Sequence, residues 1–450
     1  MVSRMLSSVS PQSAVIRAPD WLMIVLSVLA VLYSVMPLVE MRLPNAIEAL
    51  FALTGLYTLF RYGVGVRWSL PVKLMAAGAV IMVVSWLFMI IDHPELARSG
   101  PSLEDLLDKF FFLFIALAIA REEKRGLVFL GIFGLFVILM PWLSGGGVSD
   151  IMAGFEGVRA GFGINPIRTG LLFGAVFLGL ISFAPRLFMR PRFSMFRFLI
   201  WAVVLAFCVA IVVLSQSRTA MVALVPGLVI AFGLFLFLSS VDNRQKLKVS
   251  IVVVTGFLVL ILVAYLAGLS SLIETRFGEE TVVIEQIIDG DLEDIPKTSW
   301  GIRVHLLAEG INGFLERPWT GWGYRAGEII LDKDGLRRGD GGVFSQVHNT
   351  YLEAALRYGV GGAIILFALF GWAVEGCLKA QKRGDMSLDL AVFLGASLGY
   401  LMVASLFDGL LFQTEGVLLF NVLMGVVGSF VLFEEKSVRD KEETVHDYAT

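Results

Sequence analysis

The chain has 450 residues, of which 57% are hydrophobic and 17% charged, and its mean hydropathy is +0.80. That is too apolar for a soluble globule of this size. The net charge of −3 says little by itself, because in such a chain the placement of charge carries the information; no nucleic-acid partner is expected.

A bilayer core of roughly 30 Å needs about 20 helical residues. Apolar runs of suitable length fall near 21–39, 46–60, 72–91, 106–120, 126–143, 166–184, 198–214, 219–238, 249–270, 351–376, 388–407 and 414–433. The expected fold is therefore all-α, a polytopic membrane protein with about 12 transmembrane helices. The second and fourth runs are the shortest. No cleavable signal peptide is visible, since the first 20 residues are polar and the first run is long enough to span.

Lys and Arg recur after every second run. Arg61, Arg67 and Lys73 follow the second, and Arg121, Lys124 and Arg125 the fourth. Arg186, Arg190, Arg192 and Arg197 follow the sixth, Arg244, Lys246 and Lys248 the eighth, and Lys379, Lys382 and Arg383 the tenth. Positive charge is held on the cytoplasmic side, so both termini are expected there. Cys208 falls inside a run and Cys377 at a cytoplasmic end, so neither reads as a disulfide partner.

One segment breaks the rhythm: Ser271 to Thr350, about 80 residues, far exceeds ordinary connections. The charge pattern places it outside. Trp300 to Leu315 carries apolar residues near helical spacing, Arg317-Pro318 ends it, and Trp319-Thr320-Gly321-Trp322-Gly323-Tyr324 reads as an aromatic and glycine turn. The chain thus divides into spans one to nine (1–270), a partly helical outer loop folding back as a cap (271–350), spans ten to twelve (351–433) and a cytoplasmic tail (434–450).

The outer face gathers positive charge. Arg168 follows Asn165-Pro166-Ile167, Arg218 sits in the tight turn Ser215-Gln216-Ser217-Arg218, Arg303 and Arg325 lie in the long loop, and His348 closes it. The sixth, eighth and tenth runs point their N-termini outward, each presenting free N–H groups and about half a positive charge. Together these suit a lipid-linked pyrophosphate at headgroup depth. Each residue also has a plainer role. Outer arginines commonly serve as interfacial anchors, and Thr350 with Glu353 matches a capping box. Glu353 and Arg357 are spaced for an i, i+4 pair, and the glycines after Tyr358 suit close helix packing. Arg218 has little room to snorkel, and neutral His348 is a base suited to neutral pH.

The acids do not form a metal site. Glu40 stands alone in the first outer loop, Asp289, Asp291, Glu293 and Asp294 read as solvated loop acids, and Asp332-Lys333-Asp334-Gly335 lacks the later ligands of a calcium loop. Metal-free chemistry is expected, with no cofactor and arginines supplying the positive charge.

Three pieces of the chain resemble the O-antigen ligases and related Wzy-type polymerases of bacterial envelopes. They are Ser217-Arg218-Thr219-Ala220; Arg303 with Arg317-Pro318-Trp319-Thr320-Gly321-Trp322-Gly323; and His348-Asn349-Thr350-Tyr351-Leu352-Glu353 with Gly359 and Gly361-Gly362. The resemblance covers roughly residues 165 to 370. It implies an inner-membrane enzyme with a periplasmic loop between spans nine and ten and an active site facing the periplasm. Its partners would be an undecaprenyl-diphosphate-linked glycan donor, a lipid A-core or other glycan acceptor, and membrane lipids. Carried over, it makes His348 the base for the acceptor hydroxyl, with Arg218 and Arg303 on the donor pyrophosphate. Arg168, Arg325 and Asn349 are further substrate-binding candidates. Direct attack would invert the anomeric centre. Ligase and polymerase stay open, with the single large loop inclining toward the ligase. A secondary transporter is the alternative from another class, disfavoured because span centres are almost uncharged.

Overall fold

The computed structural model describes residues 18–39, 44–120, 122–189, 192–239, 298–332 and 342–433, with isolated positions 242, 244, 286, 295 and 336. The expected ninth span (249–270), the tail (434–450), Glu40, the acids 289–294 and Asp334 lie outside the described residues.

All regular elements among the described residues are helical. They begin with α1 (Asp20–Val35), α2 (Pro44–Tyr62), α3 (Leu70–Asp92), α4 (Glu104–Leu107) and α5 (Phe112–Ile119). There follow α6 (Glu123–Leu143), α7 (Val148–Phe155), α8 (Pro166–Ser182), α9 (Met195–Leu214) and α10 (Arg218–Leu238). The last are α11 (Ser299–Glu316), α12 (Ala326–Ile330), α13 (Thr350–Lys382), α14 (Leu388–Ala404) and α15 (Thr414–Val431). Among the described residues, seven helices are long and apolar enough to cross a membrane: α1 with the turn after it, α3, α6, α9, α10, α13 and α15. The apolar α8 and α14 are shorter. The described residues are thus all-helical in their regular structure, consistent with an integral membrane protein.

The run expected as a span at 106–120 is broken into α4, a 3₁₀ turn at Asp108–Phe110 and the short α5. At ~1.5 Å per residue, α5 alone is only about 12 Å long. The break follows from burying Lys109, whose ammonium donates to the Asp105 carbonyl and, at 3.0 Å, to Asp108. Asn421 of α15 repairs the exposed backbone, accepting from Phe112 N–H (3.0 Å) and donating to the Asp108 carbonyl (2.8 Å).

α15 is the axis of the bundle, with every residue from Glu415 to Phe430 buried. Small residues set the close contacts. Gly425 lies against Ile115, Gly399 against Ile230, and Gly227 and Gly174 against Tyr400. Without a hydrophobic force between helices in lipid, such close approach is what holds spans together.

The two ends of α8 belong to different clusters. Beyond its C-terminus, Arg186 pairs with Asp389 of α14 (2.7 Å) and Glu123 of α6 (3.2 Å). At its N-terminus, Arg168 pairs with Glu415 of α15 (2.9 Å). The alternation of charge expects the same grouping of ends.

α13 is two helices in one. Tyr358 and Gly359 leave helical geometry, Gly359 at φ +62°. The part beyond the break, 360–382, spans about 35 Å at ~1.5 Å per residue and suffices to cross a bilayer. The first part, 350–357, is a half-helix. The turn after α11 stitches the break: Trp322 and Gly323 N–H donate to the Leu356 and Arg357 carbonyls (2.9 and 2.8 Å), and Val360 N–H to the Pro318 carbonyl (2.8 Å). A β-carbon on Gly359 would collide with the Trp319 carbonyl. The glycines after Tyr358, expected to serve close packing, thus also make the break itself.

Gly359→Ala should therefore lower stability by about 1–3 kcal/mol or more, the cost of holding a residue with Cβ in a backbone region that essentially only glycine occupies. Gly233→Ala in α10, where an added Cβ meets nothing within 4 Å, is the control. Thermal unfolding in detergent checks this; equal midpoints for the two variants would refute the account.

Candidate active site

The half-helix opens at Asn349, whose side-chain oxygen accepts from Tyr351 and Leu352 N–H, both at 3.0 Å. The expected capping box at Thr350 and Glu353 does not form. Thr350 sits one residue inside the cap, and its hydroxyl donates to the Asp408 carbonyl (2.9 Å) while its N–H donates to the Ser405 carbonyl (2.8 Å). Asn349 also donates to the Leu406 carbonyl (3.1 Å), and the Tyr351 hydroxyl to the Met402 carbonyl (3.0 Å). The half-helix is thereby fastened to the end of α14 and the loop after it.

Glu353 does form the expected pair with Arg357, at 2.7 Å. Its other oxygen accepts from Val347 N–H (2.9 Å), one residue before His348. Both side chains are buried, and Arg357 continues to Asp105 at 3.0 Å, which also accepts from the Tyr358 hydroxyl (2.5 Å). A fully buried carboxylate is tolerated only with such partners. The network fixes the approach to His348, which sits at φ +55°. A left-handed backbone at a residue with Cβ persists only where surroundings impose it, and such positions cluster at functional sites.

His348 Nδ1 lies 3.0 Å from Asp408 Oδ1. A carboxylate only accepts, so Nδ1 bears the proton that faces it, and Nε2 is the nitrogen left to exchange a proton with a substrate. Burial would raise the Asp408 carboxyl's pKa. The hydrogen bond and charge of His348, the charge of Arg303 and the Gly409 N–H (2.8 Å) outweigh it and hold the group below the usual carboxylate range. Asp408 is therefore the ionised partner of the ring.

Arg303 comes from α11 and donates to the Phe407 carbonyl at 2.9 Å. α11 reaches it by close packing, with Gly310 against Val347 and Leu352 and Gly313 against Ile330 and Leu356. His348, Asp408 and Arg303 thus form one cluster. Arg168 joins it through Gln413, which accepts from Arg168 and donates to Gln346 (2.9 Å), two residues before His348. Arg218 opens α10 beneath the cap Ser217, whose oxygen accepts from Ala220 N–H at 3.3 Å. Gly170 of α8 packs on Ser217 and Ala220, so the starts of α8 and α10, with Arg168 and Arg218, stand side by side. Arg325 is engaged elsewhere, with Glu328 at 2.7 Å and on a cleft beside α3.

Asp408 is the residue sequence reasoning missed. It stands as a single carboxylate just past the run 388–407, away from any cluster of acids, so no spacing in the sequence marks it.

A depressed carboxyl contributes stability that is present above its unfolded value, about pH 3.9, and lost as pH falls through its folded value. Asp408→Asn should therefore unfold at lower temperature than the native protein at pH 7, with the difference shrinking as the pH drops below about 4. Melting curves across this range check it, and a gap independent of pH would refute it.

Comparison with known families adds the last observation. Residues 201–367 match the family profile described as O-Antigen ligase, a stretch containing Arg218, Arg303, Arg325, His348 and Asn349 but neither Arg168 nor Asp408. No curated protein matches the chain. Residues 201–367 are thus similar to the O-antigen ligase family, over rather more than a third of the chain.

Proposed function

We propose that this protein is a glycosyltransferase of the O-antigen ligase kind, acting at the periplasmic face of the bacterial inner membrane. On this reading it crosses the membrane about twelve times, with both termini cytoplasmic and the long loop outside. Its donor is a glycan on undecaprenyl diphosphate, and its acceptor is a hydroxyl on a lipid A-core. The observation that carries the reading is the His348–Asp408 pair at 3.0 Å with Arg303 bonded to the adjacent Phe407 carbonyl.

That geometry supports the following chemistry. The acceptor oxygen attacks the anomeric carbon, and His348 Nε2 takes its proton. The bond from that carbon to the phosphate oxygen breaks, and its electron pair leaves with undecaprenyl diphosphate. Asp408 stabilises the imidazolium, while Arg303 and Arg218 stabilise negative charge growing on the diphosphate. A single displacement inverts the anomeric centre. A base held near the hydroxyl contributes about 10²–10⁴-fold. Diphosphate is already a good leaving group, so positioning and charge stabilisation supply most of the remainder.

His348→Ala, Arg303→Ala and Arg218→Ala should each lower transfer by about 10²-fold or more, with membrane insertion preserved, and His348→Ala should also melt lower because Asp408 loses its partner. The assay uses purified protein, lipid-linked glycan and lipid A-core, with anomeric analysis of the product. Full activity in His348→Ala, or a retained anomeric configuration, would refute the mechanism. A product made only of lengthened lipid-linked chains would make the protein a polymerase instead.

A further inference from the structure

A small cleft of about 30 Å³ opens beside the break in α13, between α3, the segment after it and the turn that follows α11. Its floor is apolar and aromatic, built from Met82, Met89, Trp322 and Tyr358. Its rim carries Arg98 and Arg325, with side chains 47% and 45% exposed, flanking Tyr324. The Arg98 guanidinium lies 4.5 Å from the Tyr324 ring centre and 2.5 Å from the Ser102 hydroxyl. The acids nearby are themselves exposed: Glu104, 3.8 Å from Arg98, and Glu328, 2.7 Å from Arg325. An exposed pair of this kind is worth little, so either acid can yield to a phosphate that accepts two hydrogen bonds in parallel. Two guanidinium groups beside an aromatic ring, above an apolar floor, suit a phosphate whose carrier lies outside the cleft.

We infer that this cleft seats a phosphate group of a phosphate-bearing glycolipid acceptor, while the far end of its saccharide reaches His348. The inference rests on the transferase reading above. Position supports it. The cleft lies at the break, where the crossing part of α13 begins, and the half-helix leads from there to His348 over about 12 Å at ~1.5 Å per residue. A short oligosaccharide covers that distance. An acceptor rooted in lipid would enter with its lipid-proximal phosphate at the cleft and its outer hydroxyl at the base. The two places are also joined through the protein. Trp322 and Gly323 bond the last carbonyls of the half-helix, and Tyr358 on the floor bonds Asp105, the partner of Arg357 and through it of Glu353.

The test is direct binding of a glycolipid acceptor carrying a phosphate monoester, and of the same glycolipid after phosphatase treatment, to the full chain in detergent without donor. Native protein should bind the phosphorylated form about 10–100-fold more tightly, the worth of one or two charge-assisted hydrogen bonds. Arg98→Gln/Arg325→Gln should bind both forms alike and show a similar rise in KM for the phosphorylated acceptor alone. A variant that keeps the preference would overturn the assignment. So would displacement of the glycolipid by phosphatidylglycerol at equal concentration, since the cleft would then be a general headgroup site. Native binding with the expected preference but no transfer to any acceptor would refute the transferase reading and leave the cleft assignment standing.

Discussion

A helix that stops inside an apolar bundle leaves backbone carbonyls unanswered, and the break of α13 at Gly359 places that demand at the centre of this structure. The answer comes from the turn at 317–323, whose N–H groups meet the Leu356 and Arg357 carbonyls. That requirement fixes where α11 must lie, and α11 carries Arg303. The same break frees the 350–357 segment from the line of the crossing helix, so its N-terminus can meet the loop between α14 and α15. One interruption of regular structure therefore positions both the guanidinium and the imidazole.

Much of this was legible in the sequence. Long apolar runs announce helices because lipid leaves the backbone no alternative, and Trp300 to Leu315 announced α11 through its spacing. The departures share a physical cause: each depends on a partner distant in the chain. Asn349 and Thr350 both qualify as caps, and the choice was made by the Ser405 and Asp408 carbonyls waiting for Thr350. Glu353 looked like a capping residue, yet its second oxygen serves Val347 N–H because the backbone turns left-handed at His348. The 106–120 run is apolar enough for a continuous helix, but burying Lys109 requires carbonyl oxygen from Asp105. Asp408 carried no local pattern at all; only its distance to His348 reveals it.

Rigid elements hold the parts of the candidate site. His348 is flanked by the Glu353 bond on one side and the Asn349 cap on the other, and Asp408 is held through its carbonyl by Thr350 and through its carboxylate by Gly409. Because Thr350 belongs to the half-helix, the imidazole and its carboxylate cannot drift apart without breaking that helix's attachment to α14. This matters for chemistry in which the leaving group needs little help. Where the barrier lies in aligning a hydroxyl and meeting new charge, a site already arranged avoids reorganising during the reaction. The energy for the arrangement comes from folding: the buried Asp105–Arg357–Glu353 network is costly to desolvate and is compensated only when complete. The left-handed turn at His348 and the Val347 N–H bond to Glu353 come together, so the conformation at the imidazole and the ion pairs behind it are linked through one carboxylate.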